Sequence, residues 1–438
     1  MNRRNILSLA GNLTMATLQF LSTALLYRVV KSNVLGNWVL FLAAVSFVEA
    51  IRSGIIQSAL VRFHAGATVD ESGKIIGAAW YIAFIITAVF VALNAPLYFL
   101  SDYIRDEGWL IFTRYFSLTV ICSLPYYFAT WLLQSEQQFE KIMYLRIMEK
   151  GSFILFIGVM YFSDHVGLDD ILISYSASLI LASAFAVGAR YTKMSHVTST
   201  NREYISKLFN FGKYSMGTGV SAFLLRGSDT FIINAFLGPR AVAVYNIPQK
   251  LIEVLSIPVR SFAGTAFPTM SVHATRNELP QVAQIMKKYA GALTVFLLPL
   301  ILTMFLFSDL IVTFIFGKGY LESGVVLKMF MVYAALLPLD QFLGITLDIL
   351  NKPHLNFLKT LIMLTVNVAG DIVGIFIFHN VISVAAASIF TFLAGIIFGH
   401  LMLSRYLKYS LADILSIGYS ESITLGRSIM RKVSNIAR

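Results

Sequence analysis

Residues 34–63 read VLGNWVLFLAAVSFVEAIRSGIIQSALVRF. About 20 apolar residues, rising about 1.5 Å each, cross a hydrocarbon core of roughly 30 Å as a helix. Inside this run stand Glu49 and Arg52, three residues apart and so on one helix face. A charged side chain at bilayer depth costs roughly 3 kcal/mol or more on insertion scales, so it faces water or pairs with an opposite charge. The stretch therefore predicts a membrane-spanning helix whose charge has a purpose. A second arginine at comparable depth, Arg260, lies in the run 241–270.

The same hydropathy recurs along the whole chain. Of 438 residues, 57% are hydrophobic and 13% charged, against roughly 25% charged in soluble domains. Mean hydropathy is +0.73. Apolar segments fall near 6–30, 34–61, 75–100, 109–133, 142–162, 170–191, 208–237, 241–270, 284–308, 324–350, 355–378 and 381–404. An all-α integral membrane protein of about twelve transmembrane helices follows, because a helix satisfies its own backbone in lipid. No polar stretch between them is long enough to bury a core of its own. Arg3-Arg4 before the first run mimics a signal peptide, but the run continues to about Val30 and reads as a retained helix. Cys122, the single cysteine, excludes an internal disulfide and a cysteine-based metal cluster.

Formal net charge is +11. The basic residues gather on one set of turns and the tails, among them Arg62, Lys74, Lys141, Arg146, Lys150, Arg190, Lys193, Lys207, Lys287, Lys352, Lys359 and Arg405. The opposite turns hold Lys31, Arg105, Arg240 and Lys318, with the acids Asp102, Asp106, Glu107, Asp164, Asp169 and Asp170. The positive-inside rule then puts both termini in the cytoplasm. The basic excess is a topological signal suited to an anionic inner leaflet, rather than a nucleic-acid footprint.

A polar linker divides the chain. The sequence predicts a six-helix lobe over 1–195, a cytoplasmic linker over 196–207, a second six-helix lobe over 208–406 and a basic tail over 407–438. A shift of 207 residues aligns Val34-Leu35-Gly36-Asn37-Trp38 with Ala241-Val242-Ala243-Val244-Tyr245 and brings Arg52 beside Arg260. Two halves of equal helix number share one orientation, and a site between them is the usual consequence. Helix breakers crowd the second half: Pro248, Pro258 and Pro268, then Pro299 and Pro338. They mark either bends or ordinary membrane packing. Gly73–Gly77, Gly370–Gly374 and Gly395–Gly399 match the small-xxx-small pattern and read as helix contacts within one chain.

Intramembrane charges are the candidate site. Glu49 with Arg52, Arg226 with Asp229, and Lys250 with Glu253 are opposite pairs at helical spacing. Two readings stand. Either the partners neutralise each other, or they line a wet cavity whose cations take a ligand. Arg260 lies about ten residues from its helix end, roughly 15 Å deep, beyond easy snorkelling. Arg28 and Lys213 lie nearer helix ends, where snorkelling serves. A cationic wall of Arg52, Arg260, Arg226, Arg28 and Lys250 would suit an anion, phosphate above all. Asp340, Asp348 and Asp371, with Asn367 one turn before Asp371, form a second set. With Asp229, Glu49 and Glu253 they are candidates to hold a sodium ion or a proton for coupling, or are structural carboxylates. No GxxxxGK[ST], no HExxH and no extramembrane catalytic domain occurs, so an ATPase or a membrane enzyme is disfavoured and no cofactor is expected.

Several stretches resemble one family. They are Leu35-Gly36-Asn37-Trp38, Ser53-Gly54-Ile55-Ile56-Gln57-Ser58-Ala59-Leu60-Val61-Arg62-Phe63, Leu225 to Ile233, Phe236-Leu237-Gly238-Pro239 with Val244-Tyr245, Leu350-Asn351-Lys352-Pro353, and the small-residue run Ser383 to Ser388. Together they resemble polysaccharide-biosynthesis flippases of the Wzx type, in the superfamily that also holds MATE drug exporters and the MurJ lipid II flippase. The chain departs from that pattern at Lys31-Ser32-Asn33, where an acidic pair is common, and at Asp371, where an amide is expected. The resemblance implies a two-lobed transporter moving an undecaprenyl-pyrophosphate-linked oligosaccharide (an O-antigen, capsule or exopolysaccharide unit) across the bacterial inner membrane by alternating access. Its partners would be that lipid-linked substrate, membrane lipid and other polysaccharide-assembly proteins. A cation-coupled multidrug exporter of the same superfamily, or a non-transporting component of polysaccharide assembly, are the alternatives.

Overall fold

The computed structural model describes residues 17–64, 67–103, 107–161, 167–414, 416–418 and 420. Among them the chain is helical, with no strand. The helices are α1 (17–29), α2 (Ser32–Phe63), α3 (Val69–Phe99), α4 (Glu107–Ser135), α5 (Phe139–Tyr161), α6 (Leu168–Gly188), α7 (Arg202–Leu237), α8 (Pro239–Thr275), α9 (Leu279–Leu306), α10 (Ser308–Phe316), α11 (Glu322–Ala334), α12 (Leu337–Ile349), α13 (Pro353–Phe378) and α14 (Val381–Leu403). Among the described residues the expected apolar segments fall on helices, and residues 6–16 of the first segment lie outside them. The run 324–350 is two helices, α11 and α12, bent by 42° where Pro338 opens the second. The short α10 has no counterpart among the expected segments. Arg3, Arg4, Arg105, Asp106, Asp164 and most of the tail expected over 407–438 lie outside the described residues.

The protein is a multi-pass membrane protein. Among the described residues, 8 helices are long and apolar enough to cross a membrane, or 9 if the bent pair is one span. Helices α5 and α8 are long enough, but carry Arg146, Glu149 and Lys150, and Lys250, Glu253 and Arg260.

The chain forms two compact units, Met1–Thr230 with Gly238–Ala243, and Phe231–Leu237 with Val244–Arg438. The division falls later than the polar linker, and packing gives the reason. Helix α7 lies against α2: a Cβ on Gly212 would overlap the Ile55 backbone, and one on Gly54 would overlap Met216. Ser58 and Ser215 hydrogen-bond at 2.6 Å, and the Phe47 and Phe223 rings meet at 5.6 Å. Gly238 at φ +81 ends α7 in the left-handed conformation, and Pro239 starts α8 with φ already set.

In the first unit, Trp80 stacks on Phe128 at 3.9 Å and seals α3 against α4. His64, at the end of α2, bonds Ser72 at 2.9 Å and Ser135 at 3.0 Å. Burial holds its imidazole below the usual range; Glu136 opposes that shift and Lys193 adds to it. In the second unit, α13 and α14 make the closest pair: a Cβ on Gly370 or Gly374 would crowd Ala387 or Ser383. Gly395 and Gly399 lie as close to Met363 and Leu343, and Gly73 and Gly77 meet His196. All three small-xxx-small pairs thus serve contacts inside the chain.

Prolines inside helices are repaired from neighbours. Pro125 lies inside α4, and Ser183 of α6 bridges the turn beside it, accepting from Tyr126 N at 3.2 Å and donating to Cys122 O at 2.7 Å. Pro248 frees the Val244 carbonyl of α8, and Ser323 Oγ donates to it at 2.9 Å.

Two alanine substitutions test the α2–α7 seam. Gly212→Ala is expected to lower the melting temperature in detergent, since overpacking costs typically ~1–3 kcal/mol. Gly217→Ala, where a Cβ meets nothing within 4 Å, is expected to be neutral or to stabilise by about 0.5 kcal/mol. Equal melting shifts in the two variants would contradict the seam.

Candidate functional site

The first unit closes around Arg52. Its side chain is 0% exposed, and its donors reach three helices. Nη1 bonds Glu49 Oε1 at 2.6 Å and Ser123 Oγ at 3.4 Å; Nη2 bonds Thr87 Oγ1 at 2.7 Å and Val120 O at 2.9 Å. The sequence supplies the Glu49 partner through helical spacing. The hydroxyls come from α3 and α4, which spacing along α2 does not reveal. This geometry places Arg52 at the buried junction of α2, α3 and α4. Glu49 Oε2 and Arg52 Nε are buried there without a hydrogen-bond partner. A second buried acid, Glu149, was not among the sequence candidates. It is 2% exposed on α5, with Lys150 Nζ at 2.9 Å.

The second unit holds two polar clusters. Asp371 and Asn367 lie one turn apart on α13, both buried, with Asn367 Nδ2 donating to Asp371 Oδ2 at 3.0 Å. Thr391 of α14 donates to Asn367 Oδ1 at 3.3 Å and to Ala387 O at 3.1 Å. A carboxylate, an amide and a hydroxyl thus meet between two tightly packed helices, an oxygen-rich set of the kind hard cations take. The second cluster corrects the sequence reading. Lys359, assigned there to a turn, is 3% exposed inside α13 and donates to Asp340 Oδ1 at 2.6 Å and Asp340 O at 2.9 Å. Asp340, read as an acid without an adjacent base, is therefore an ion-pair partner. Asp348 accepts from Asn356 Nδ2 at 2.8 Å.

The remaining candidate cations are less buried than Arg52. Arg260 is exposed on α8, with Nη2 donating to Ser256 Oγ at 2.8 Å. Arg226 on α7 and Arg28 on α1 are exposed, while Asp229 is buried. Lys250 and Glu253 form their expected pair, at 3.0 and 3.1 Å. Lys213 is exposed beside Asn210, at 3.1 Å.

Residues 15–325 match the model of the family described as polysaccharide biosynthesis protein. That is more than half of the chain, and the chain belongs to this family. Over 395 residues it is 23% identical to the probable low-salt glycan biosynthesis flippase Agl15 of Haloferax volcanii, spanning 89% of this chain and 80% of that one. Among solved structures, the lipid II flippase MurJ in an inward closed conformation superposes with a TM-score of 0.76 at 13% identity, covering 97% of this chain and 93% of its own. An inward-facing MATE multidrug resistance transporter of the MOP superfamily gives 0.72 at 14% identity, covering 91% and 98%. These likenesses establish the fold.

Breaking the buried pair should be costly. Arg52→Met strands Glu49 in the interior and is expected to destabilise by roughly 3–5 kcal/mol, whereas Glu49→Leu with Arg52→Met recovers most of that loss. Thermal unfolding in detergent measures both. A single variant as stable as the parent would show that the junction does not depend on the ion pair.

Proposed function

We propose that this member of the polysaccharide-biosynthesis family moves a lipid-linked oligosaccharide across a membrane by alternating access, with no covalent chemistry of its own. The observation that carries the reading is the set of exposed cations on the membrane helices: Arg28 on α1, Arg226 on α7, and Arg260 on α8. An exposed arginine inside an apolar helix is expensive in lipid and is retained where water or an anion meets it. Guanidinium matches phosphate oxygens in a bidentate fork. The cargo that fits is a pyrophosphate-linked glycan, undecaprenyl-carried, whose prenyl chain stays in lipid while the sugar crosses in water. The bacterial inner membrane is the matching location. Lys250, already paired with Glu253, has a secondary role, and Arg52 holds the first unit together.

Coupling falls to Asp371. With Asn367 and Thr391 it would hold a sodium ion or a proton, and its carboxylate would set the charge of the α13–α14 pair. Asp229, buried on α7, is the other acid suited to that task. The glycan flippase reading is favoured over a drug exporter because exposed cations repel the cationic amphiphiles that exporters usually take.

Reconstitution with a defined lipid-linked oligosaccharide, scored for leaflet exchange under sodium or proton gradients, tests the reading. Arg260→Ala is expected to slow exchange roughly 10- to 100-fold, the scale of a lost hydrogen bond to a charged group, and Arg260→Lys to restore part of it. Asp371→Asn is expected to remove the dependence on the imposed gradient while the protein remains folded. Parental rates in Arg260→Ala would reject the cationic site, and an unchanged gradient dependence in Asp371→Asn would reject the coupling role.

A further inference from the structure

The ends of α4 and α6 and the start of α5 line a half-open cavity of about 240 Å³ in the first unit. That is below the roughly 300 Å³ at which drug-sized pockets begin and far above the ~10–15 Å³ that holds one water. It suits a small polar group, not a sugar chain. Lys141, Arg190 and Lys193 line it, with Glu136 as the one acid, a surplus of two positive charges.

Glu136 does not neutralise that surplus. Its Oε1 takes Lys193 Nζ, and its Oε2 takes Gln138 Nε2 at 2.9 Å. Lys141 Nζ lies 5.0 Å over the Tyr191 ring, an arrangement that holds the ammonium in place without cancelling its charge. Arg190 is exposed. Arg190 and Lys193 both have left-handed backbones, at φ 59 and 45. Backbone bonds hold the turn: Arg190 N to Val187 O at 3.0 Å and Tyr191 N to Ala186 O at 2.9 Å.

We infer that this cavity is a binding site for the phosphate headgroup of an anionic phospholipid. Phosphate supplies the oxygens that two unneutralised cations call for. Exposed apolar groups that adjoin the lining point to the lipid source: Phe185 sets its ring edge-on to Tyr191 at 6.0 Å, and Tyr144 lies about one turn after Lys141 on α5. Leu181 and Phe185 on α6 are 45% and 39% exposed, and Tyr144 on α5 is 60% exposed. In a membrane helix such groups face acyl chains, which gives the tails a track beside the headgroup. Basic pockets between helices at a membrane face are the usual form of such sites. These residues fall on turns that the charge pattern assigns to the cytoplasmic side. The site rests on the membrane reading alone and not on transport of a glycan, so a binding assay judges it separately.

The test uses the full chain in detergent, with lipid retention read by native mass spectrometry. The probes are phosphatidylglycerol, phosphatidylcholine and inorganic phosphate. Lys141→Gln with Arg190→Gln is expected to weaken phosphatidylglycerol binding roughly 25-fold, about fivefold per cation. Phosphatidylcholine binding should not change. Arg405→Gln with Lys408→Gln removes the same charge from exposed residues elsewhere and should bind as the parent does. Arg190→Lys should retain most of the affinity, and melting temperatures without lipid check that each variant folds. Competition by inorganic phosphate would show that the phosphate group itself is recognised. Phosphate binding without phosphatidylglycerol binding would reject the lipid source. Equal losses in the pocket and control pairs, or no loss in the pocket pair, would overturn the site.

Discussion

A guanidinium sealed from water governs the first unit. Arg52 brings a full charge into a helix junction, and the junction must then supply the hydration that the charge has lost. It does so from three elements: a carboxylate one turn away on α2, a hydroxyl on α3, and a carbonyl and a hydroxyl on α4. Lipid gives helices little hydrophobic reason to associate, so polar contacts and close backbone approach must carry the packing. The arginine therefore fixes α2, α3 and α4 relative to each other more firmly than their apolar surfaces would. The seam of small residues that draws α7 onto α2 extends the same block.

The second unit solves the same problem with other side chains. Lys359 takes the place of an aqueous cation, and Asp340 holds it through both a carboxylate and a backbone oxygen. Its helix, α12, begins just after the bend at Ala335 and Leu336. Hydroxyls deal with the prolines. Ser323 caps the carbonyl freed by Pro248 as Ser183 bridges the turn beside Pro125. In each case a serine from a neighbouring helix does what water does in a soluble protein, so the proline turn and the helix contact stabilise each other.

Much of this was legible in the sequence, and the rest had physical reasons to be hidden. The helices follow from hydropathy summed over about 20 residues, a signal too large for local detail to erase. The Glu49–Arg52 and Lys250–Glu253 pairs follow from helical spacing. The buried state of Lys359 depends on where α13 begins. Pro353 sets that start six residues upstream, and a charge count over turns cannot see it. Glu149 was hidden because its neighbour Lys150 made the stretch read as a basic turn. The affiliation of α7 with the first unit depends on Gly212 meeting the Ile55 backbone, a three-dimensional match with no local signature. Thr87, Ser123 and Thr391 are ordinary residues until folding brings a charge or an amide to them.

Burial separates the charges by what they can do. A cation whose donors are already matched by protein oxygens binds a newcomer only by giving up those bonds, and the desolvated partner left behind makes that exchange costly. Lys359, and Arg52 through its two terminal nitrogens, are in that position. They hold neighbouring helices together within their own units. Arg260 is exposed, and the hydrogen bond it makes to Ser256 is to a neutral hydroxyl, so an anion can bind it without breaking an ion pair and can be released at similar cost. A carrier needs that reversibility, because cargo bound too tightly on one face never leaves on the other. The proposed transport function is therefore assigned to the exposed arginines rather than to Arg52 and Lys359, whose bonds serve the packing of their own units.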